Sequence, residues 1–258
     1  MIVAIVQARM TSSRLPGKVL KPILGRPMLE LQIERLRRAH RIDRIVVATS
    51  TDASDGPIAT LCDRLGVDCF RGSLDDVLDR FYRAANAFHA TEVVRLTGDC
   101  PLIDPALIDH LIVCHLDGGY DYSTLSLEPT YPHGLDAEIV TFAALERAWA
   151  EAELPSEREH VTLYLYKRAK GVRLGNVKQD KDQSSIRLTV DHAEDFEVVS
   201  RIFEALYPVN PAFDTADVVE FLEAHPKVAR LNARYRRHEG VKESYAADAL
   251  YRGSRAAS

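Results

Sequence analysis

Apolar residues in the first half of the chain fall into short unbroken runs that alternate with stretches of helical spacing. Residues 2–7 are an apolar run that ends at a loop containing Pro16 and Gly17, the pattern of a strand buried on both faces of a parallel sheet. Residues 27–40 follow, with Pro27 at a first helical turn and Leu29, Ile33 and Leu36 on one face. The spacing then predicts a second strand over 44–50, a helix over 52–65 and a short third strand over 67–70. From 75 to 89, Val77, Leu78, Phe81, Ala84, Ala85 and Phe88 keep helical spacing. A further buried strand, 92–97, breaks at Gly98-Asp99-Cys100-Pro101, and Leu107, Ile108, Leu111 and Ile112 mark the next helix. Such alternation predicts an α/β fold built on a doubly wound, mostly parallel sheet.

The second half is less regular. Residues 121–127 and 137–140 read as strands, with a Pro- and Gly-bearing loop between them. Helices are expected over 141–153 and 157–168. Strands are expected over 172–177 and 186–190, separated by a polar stretch from 178 to 185. Amphipathic helices over 194–207 and 214–224 would cap the sheet. These elements define a single domain over 1–236. The tail, 237–258, is polar and poor in large aliphatics, which suggests a loose segment or one borrowed by a partner subunit.

Composition narrows the class without changing the fold. The chain has 258 residues, 46% hydrophobic and 28% charged, enough to bury a core without disulfides or structural metal. A formal net charge of −5 argues against a general nucleic-acid binder. Cys62, Cys69, Cys100 and Cys114 form no Cys-x-x-Cys pair, and no histidine spacing completes a zinc pattern. They read as reduced thiols. The apolar run at residues 2–6 is too short for a signal sequence or a membrane span, so a cytoplasmic protein is expected.

Ligands of open α/β sheets bind beyond the carboxyl ends of the strands. The first loop there runs from Gln7 to Lys18 and gathers Arg9, Arg14 and Lys18 with Thr11, Ser12, Ser13 and Gly17. Three cations and a glycine suit a polyphosphate. It is not a Walker loop, because Ser12 and Val19 stand where that pattern needs Gly and Ser or Thr. Nor does it match Gly-x-Gly-x-x-Gly. Taken alone, it reads equally as a solvated basic loop.

Ala8-Arg9 with Ser13-Arg14-Leu15-Pro16-Gly17-Lys18 resembles the signature of the cytidylyltransferases that make CMP-activated acid sugars, such as CMP-KDO and CMP-sialic acid synthetases. The spore-coat polysaccharide branch is the nearer likeness. It shows in Arg71-Gly72-Ser73 with Asp76-Val77-Leu78-Asp79-Arg80, in Thr97 to Leu102, in Gly134-Leu135-Asp136-Ala137-Glu138 and in Arg158-Glu159-His160-Val161-Thr162. The resemblance implies a Rossmann-like, GT-A-like nucleotidyltransferase fold, CTP and Mg²⁺ as ligands, and a homodimer. It implies that Gln7, Ala8, Arg9, Ser13, Gly17, Arg71, Gly72, Asp79 and Arg80 surround the nucleotide. Residues about 120–180 would serve the acceptor and the dimer.

Asp99 follows a strand end, where a carboxylate could hold Mg²⁺ against the α-phosphate. Asp104, before Pro105, is the better helix cap, and together with the resemblance this favours a metal role for Asp99 over a capping one. Asp191 ends the run 186–190 ahead of a helix, and the resemblance makes it the second metal carboxylate. A plain N-cap is the alternative. The implied reaction is in-line attack of an acceptor oxygen on the α-phosphorus, with Arg14, Lys18 and Asp99 as the catalytic residues and pyrophosphate leaving. The polar residues of the irregular half, His133, Asp136, Glu138, Arg158 and His160, are the acceptor candidates by the same likeness; Asp136 and Glu138 alternate on a strand and can share one face. The acceptor would be small and acidic or polyhydroxylated: a sugar acid, a polyol phosphate or a phosphonate. A nucleotide-sugar-dependent glycosyltransferase would instead carry Asp-x-Asp after an interior strand, where this sequence has a lone Asp99.

Overall fold

The computed structural model describes residues 1–237 and 239–256. A seven-stranded sheet runs through it in the order β5-β4-β1-β6-β8-β7-β9. Its first four strands in that order are Asp68–Gly72 (β5), Arg44–Ser50 (β4), Ile2–Gln7 (β1) and Glu92–Thr97 (β6), all mutually parallel. Beyond β6 come Glu138–Thr141 (β8), Tyr122–Thr124 (β7) and Leu174–Asn176 (β9). Only β8 is antiparallel to its neighbours. A small hairpin, Pro22–Ile23 (β2) with Arg26–Pro27 (β3), lies beside the main sheet.

Burial on both faces explains the unbroken apolar runs. In β1, Val3 and Ile5 enter one core layer while Ala4 and Val6 enter the other. Met28–Leu36 (α1), Gly56–Leu65 (α2) and Pro105–Gly118 (α4) cover the layer that contains Val6 and Leu96. Val77–Ala87 (α3) and Phe142–Glu151 (α5) cover the opposite face with Phe81 and Leu145. A third cluster joins Ala193–Leu206 (α8) and Thr215–Ala224 (α9) to Leu188 and Val190. Among the described residues, no helix is long and apolar enough to cross a membrane.

The parallel half follows the sequence pattern, with ends trimmed where caps intervene. Pro27 caps α1 rather than opening it. Residues 53–55 are a separate 3₁₀ turn ahead of α2. Asp104 caps α4, accepting from the Ala106 and Leu107 amides.

The second half departs further. The expected strand over 186–190 is no strand. His133 bridges Arg187 in isolation, and the Val190 amide donates to the Asp99 carbonyl at 2.8 Å. Its alternation arises because Leu188 and Val190 enter the α8–α9 cluster while Arg187 and Thr189 line a cavity. Strands expected over 121–127 and 172–177 shrink to three residues each. The helix expected over 157–168 splits into Pro155–Glu159 (α6) and Leu163–Lys167 (α7), because buried Val161 takes a φ of +57° that ends the first turn.

After Pro226–Ala229 (α10), the polar tail forms a helix, Glu239–Ala256 (α11), docked on α6 of its own chain. Asp248 accepts from the Ser156 amide and hydroxyl at 2.9 and 2.6 Å. Among the described side chains of α11 the buried ones are the polar Ser244 and Asp248, which is why composition suggests a loose segment.

Candidate active site

The loop after β1 is pinned before it carries any charge. Fully buried Asp55 accepts from the Met10 amide at 2.7 Å and from the Ser50 amide at 3.1 Å. The Gly17 amide donates to the Met10 carbonyl at 2.9 Å, and a 3₁₀ turn at Lys18–Leu20 follows. The chain is thereby folded back so that Arg9, Ser13, Arg14 and Lys18 line one cavity.

Lys18 is the hub. Its buried ammonium donates to Asp99 Oδ2 at 3.0 Å, Asp191 Oδ1 at 2.9 Å and the Val190 carbonyl at 2.7 Å. Arg14 reaches the same Asp191 oxygen at 2.9 Å, and Arg187 meets the other at 3.3 Å. Burial opposes ionisation of Asp99, and Asp191 adds to that, but the Lys18 charge together with hydrogen bonds from Lys18 and Thr97 holds its carboxyl below the usual range. Asp191 is likewise lowered, its burial overcome by Lys18 and then Arg14. Burial also opposes the Lys18 charge, yet the two aspartates raise its pKa. All three groups are therefore ionised at neutral pH.

Asp191 is free of helix capping. Buried Asp195 accepts from the Asp191 and His192 amides at 3.0 and 2.9 Å, and it takes both Arg187 Nε and Arg187 Nη2 at 2.8 and 2.9 Å. Two ionised carboxylates around one cation are a donor set that suits a hard divalent ion with several other oxygen ligands. Among the described residues, no third His, Cys, Asp or Glu completes a protein-only cage, so phosphate and water oxygens would supply the rest.

Two cavities meet at this cluster. The first, of about 430 Å³, is lined by Gln7, Ala8, Arg9, Arg14, Lys18 and Arg80, among others. The second, of about 280 Å³, is lined by His133, Asp136, Glu138, Tyr166, Arg187 and Arg237, among others. Arg14, Arg95, Thr97, Asp99, His160 and Asp191 border both. Arg14, Arg80 and Arg95 each keep a buried Nε with no hydrogen-bond partner among the described residues, so the larger cavity is rich in buried donors. Volumes near 300–1,000 Å³ are typical of small-molecule sites.

Several expected site residues stand apart from these cavities. Arg71 donates to the Ser50 and Asp52 carbonyls at 2.9 and 2.7 Å, and Gly72 packs on Arg80. Asp79 accepts from Trp149 Nε1 and Arg83. Arg158 grips both oxygens of Asp76 and donates to the Trp149 carbonyl at 2.7 Å. None of these four, nor Gly17, is among the lining residues. Asp136, by contrast, pairs with Arg237 at 2.8 Å. His133 accepts from Arg187 Nη1 at 3.3 Å when its Nδ1 is unprotonated. Its pKa falls to about 4 through burial, against the pull of Asp136 and with the push of Arg237 and Arg187.

Sequence reasoning missed Arg95, Arg187, Asp195 and Arg237. Arg95 donates to Glu138 at 3.0 Å and to Gln7 Oε1 at 3.1 Å, lying directly opposite Glu138 across β6 and β8. A charge inside an apolar strand was the available signal for Arg95, and likewise for Arg187 between Ile186 and Leu188. Arg237 comes from the tail and carries no such mark.

The profile of the cytidylyltransferase family matches residues 3–224. The chain belongs to that family. An uncharacterized protein of Methanocaldococcus jannaschii is 37% identical over 238 residues, covering 91% of this chain and 96% of that one. The spore coat polysaccharide biosynthesis protein SpsF of Bacillus subtilis is 33% identical over 235 residues, 88% of this chain and 96% of its own. A solved cytidylyltransferase from Leptospira borgpetersenii superposes with a TM-score of 0.85 at 31% identity, covering 91% of this chain and 99% of that structure. This cytidylyltransferase is therefore a nucleotidyltransferase enzyme with a mostly parallel α/β sheet. Its opening loop and its Asp99 both lie inside the matched segment, whereas Arg237 and α11 lie after it.

Proposed function

We propose that the enzyme transfers CMP from CTP to a sugar acid or related small anionic acceptor and releases pyrophosphate. The observation that carries this reading is the Lys18–Asp99–Asp191 cluster at the junction of two cavities. Transfer between two molecules needs the reacting phosphorus at such a junction, with fixed charges around it. The larger cavity, framed by the opening loop, suits the triphosphate, with Gln7, Ala8, Arg9, Ser13 and Arg80 around the nucleotide. Arg14 and Lys18 neutralise phosphate charge there. Mg²⁺ held by Asp99 and Asp191 would supply Lewis-acid stabilisation of charge at the α-phosphate.

The smaller cavity suits the acceptor. Arg95, Arg187 and Arg237 line it as ion pairs with Glu138, Asp195 and Asp136, so guanidinium donors stand beside His133, Asp136 and Glu138, which offer hydrogen bonds to hydroxyl groups. That balance favours an acceptor with both negative charge and hydroxyls. The relationship to the spore coat polysaccharide biosynthesis protein SpsF supports a role in surface polysaccharide precursor synthesis. We also infer a homodimer, which light scattering of the purified chain tests directly.

The decisive assay offers each of the four ribonucleoside triphosphates with Mg²⁺ and a panel of sugar acids and polyol phosphates. Pyrophosphate release should need CTP and one acceptor. Release with a purine triphosphate at equal kcat/KM, or none with CTP across the panel, would refute the reading.

A further inference from the structure

Helix α11 lies beyond the segment that the family profile matches, yet two of its residues, Ser244 and Ala247, line the larger cavity. Ser244 is buried and touches His160, one of the residues that border both cavities. The Ser244 hydroxyl donates to Glu159 Oε2 at 2.5 Å, and Ser244 Oγ lies 2.9 Å from His160 Nε2. These contacts fix where the protons lie. A carboxylate only accepts, so the proton between Ser244 and Glu159 belongs to Ser244. The proton between Ser244 and His160 must then come from Nε2.

We infer that Ser244 is a positioning residue that holds His160 as the Nε2–H tautomer and leaves Nδ1 free to accept the proton of an attacking acceptor hydroxyl. The inference rests on the proposed CMP transfer and deepens it, because it assigns the attacking atom to a hydroxyl. As that oxygen bonds to the α-phosphorus, its proton passes to Nδ1. The bond from the α-phosphorus to the bridging oxygen breaks, and its electron pair leaves with pyrophosphate. The Glu159–Ser244 pair then faces the imidazolium and stabilises it. The charged groups around the ring are Glu159, Arg95, Glu138 and Asp248. Burial lowers the His160 pKa, Glu159 opposes this, and Arg95 adds to it; the net direction is down, so the free ring is neutral at neutral pH.

The tautomer can be read without knowing the acceptor. Protein labelled with ¹⁵N-histidine gives two-bond proton–nitrogen correlations that distinguish Nε2–H from Nδ1–H, with His160 assigned by loss of its signals in H160Q. The wild type should show Nε2–H at pH 7.5, and S244T should keep it. S244A should give a mixture. E159Q should move the ring toward Nδ1–H, because its amide can donate to Ser244 and let that hydroxyl donate to Nε2. A wild-type Nδ1–H ring, or an unchanged ring in both S244A and E159Q, overturns the inference.

The kinetic arm uses pyrophosphate release from CTP with the acceptor found above. S244A should lower kcat about tenfold, leave the KM for CTP within about twofold, and move the acid limb of the kcat profile, with S244T restoring both. Wild-type kcat at every pH in S244A overturns the catalytic role. Failure of every triphosphate to support release refutes the functional reading alone, because the tautomer result is measured independently of turnover.

Discussion

The two halves of the sheet are held together by different physics, and the candidate active site lies where they meet. Around β1, β4, β5 and β6 the strands are five to seven residues long and sandwiched between two apolar layers. The site residues of that half sit on loops fixed by backbone bonds and by buried Asp55. Beyond β6 the strands have three or four residues, and charge pairs organise the cavity wall: Arg95 with Glu138, Arg187 with Asp195, Arg237 with Asp136. A parallel strand gains most of its stability from apolar burial, so its polar end groups can be spent on ligands. In the other half the polar groups also hold the wall, so sequence changes there should disturb stability and binding together.

The sharpest way to break that contrast is Asp99→Asn. Its carboxylate is scaffolded by the apolar half, so the isosteric amide should leave the fold intact and remove one of the two carboxylates of the proposed metal site. We expect kcat to fall on the order of a thousandfold, about 4 kcal/mol. Calorimetric CTP affinity measured in chelator should change only a few-fold. Unchanged turnover would remove Asp99 from the metal site, and a large drop in melting temperature would show that this half also depends on its charges.

Two glycines sharpen the comparison next. Gly134 has a φ of +111°, and a Cβ there would meet the Thr189 amide nitrogen at 2.4 Å and the Leu188 carbonyl carbon at 2.5 Å. Both are backbone atoms that cannot step aside. Gly66, which ends α2 in the apolar half, has a φ of +60°, and a Cβ there would meet nothing within 4 Å. Gly134→Ala should cost about 3 kcal/mol of unfolding free energy by urea titration, and Gly66→Ala about 1 kcal/mol. Equal losses would mean that the 133–136 loop and the 187–189 segment can separate without harm to the fold.

The same contrast governs what could be read from the sequence. β1, β4 and β6 were legible because two-sided burial leaves runs of consecutive apolar residues, and the α4 start was legible because Asp104-Pro105 is both cap and first turn. Lys18, Arg14 and Asp99 stood out because strand-end loops concentrate polar chemistry. The segment 186–190 alternates like a strand but divides its residues between an apolar cluster and a cavity, and periodicity cannot tell those environments apart. The break at Val161 was hidden, since a buried β-branched residue gives no sign of a positive φ. Ser244 reaches the site because α11 folds back onto α6, a docking that includes Asp248 and Ser156, 92 positions apart, while Arg237, just before α11, is held by Asp136 and the Tyr131 carbonyl.

Arg158→Lys offers the smallest effect and the finest discrimination. The guanidinium holds both Asp76 oxygens and the Trp149 carbonyl, and Asp76 in turn caps α3 through the Asp79 amide at 2.9 Å. Arg158 thus ties α6, which carries α11, to the helix that covers β1. A lysine keeps the charge but offers one point contact in place of the planar fork. The Arg158–Asp76 pair is partly exposed, so solvent screening limits the loss to about 1 kcal/mol, or about 2–4 °C in melting temperature for a chain near this size. Turnover and the KM for acceptor should stay within about twofold of wild type. A tenfold rise in acceptor KM at unchanged melting temperature would instead put Arg158 against substrate, and would make the α6 turn part of the binding wall rather than its support.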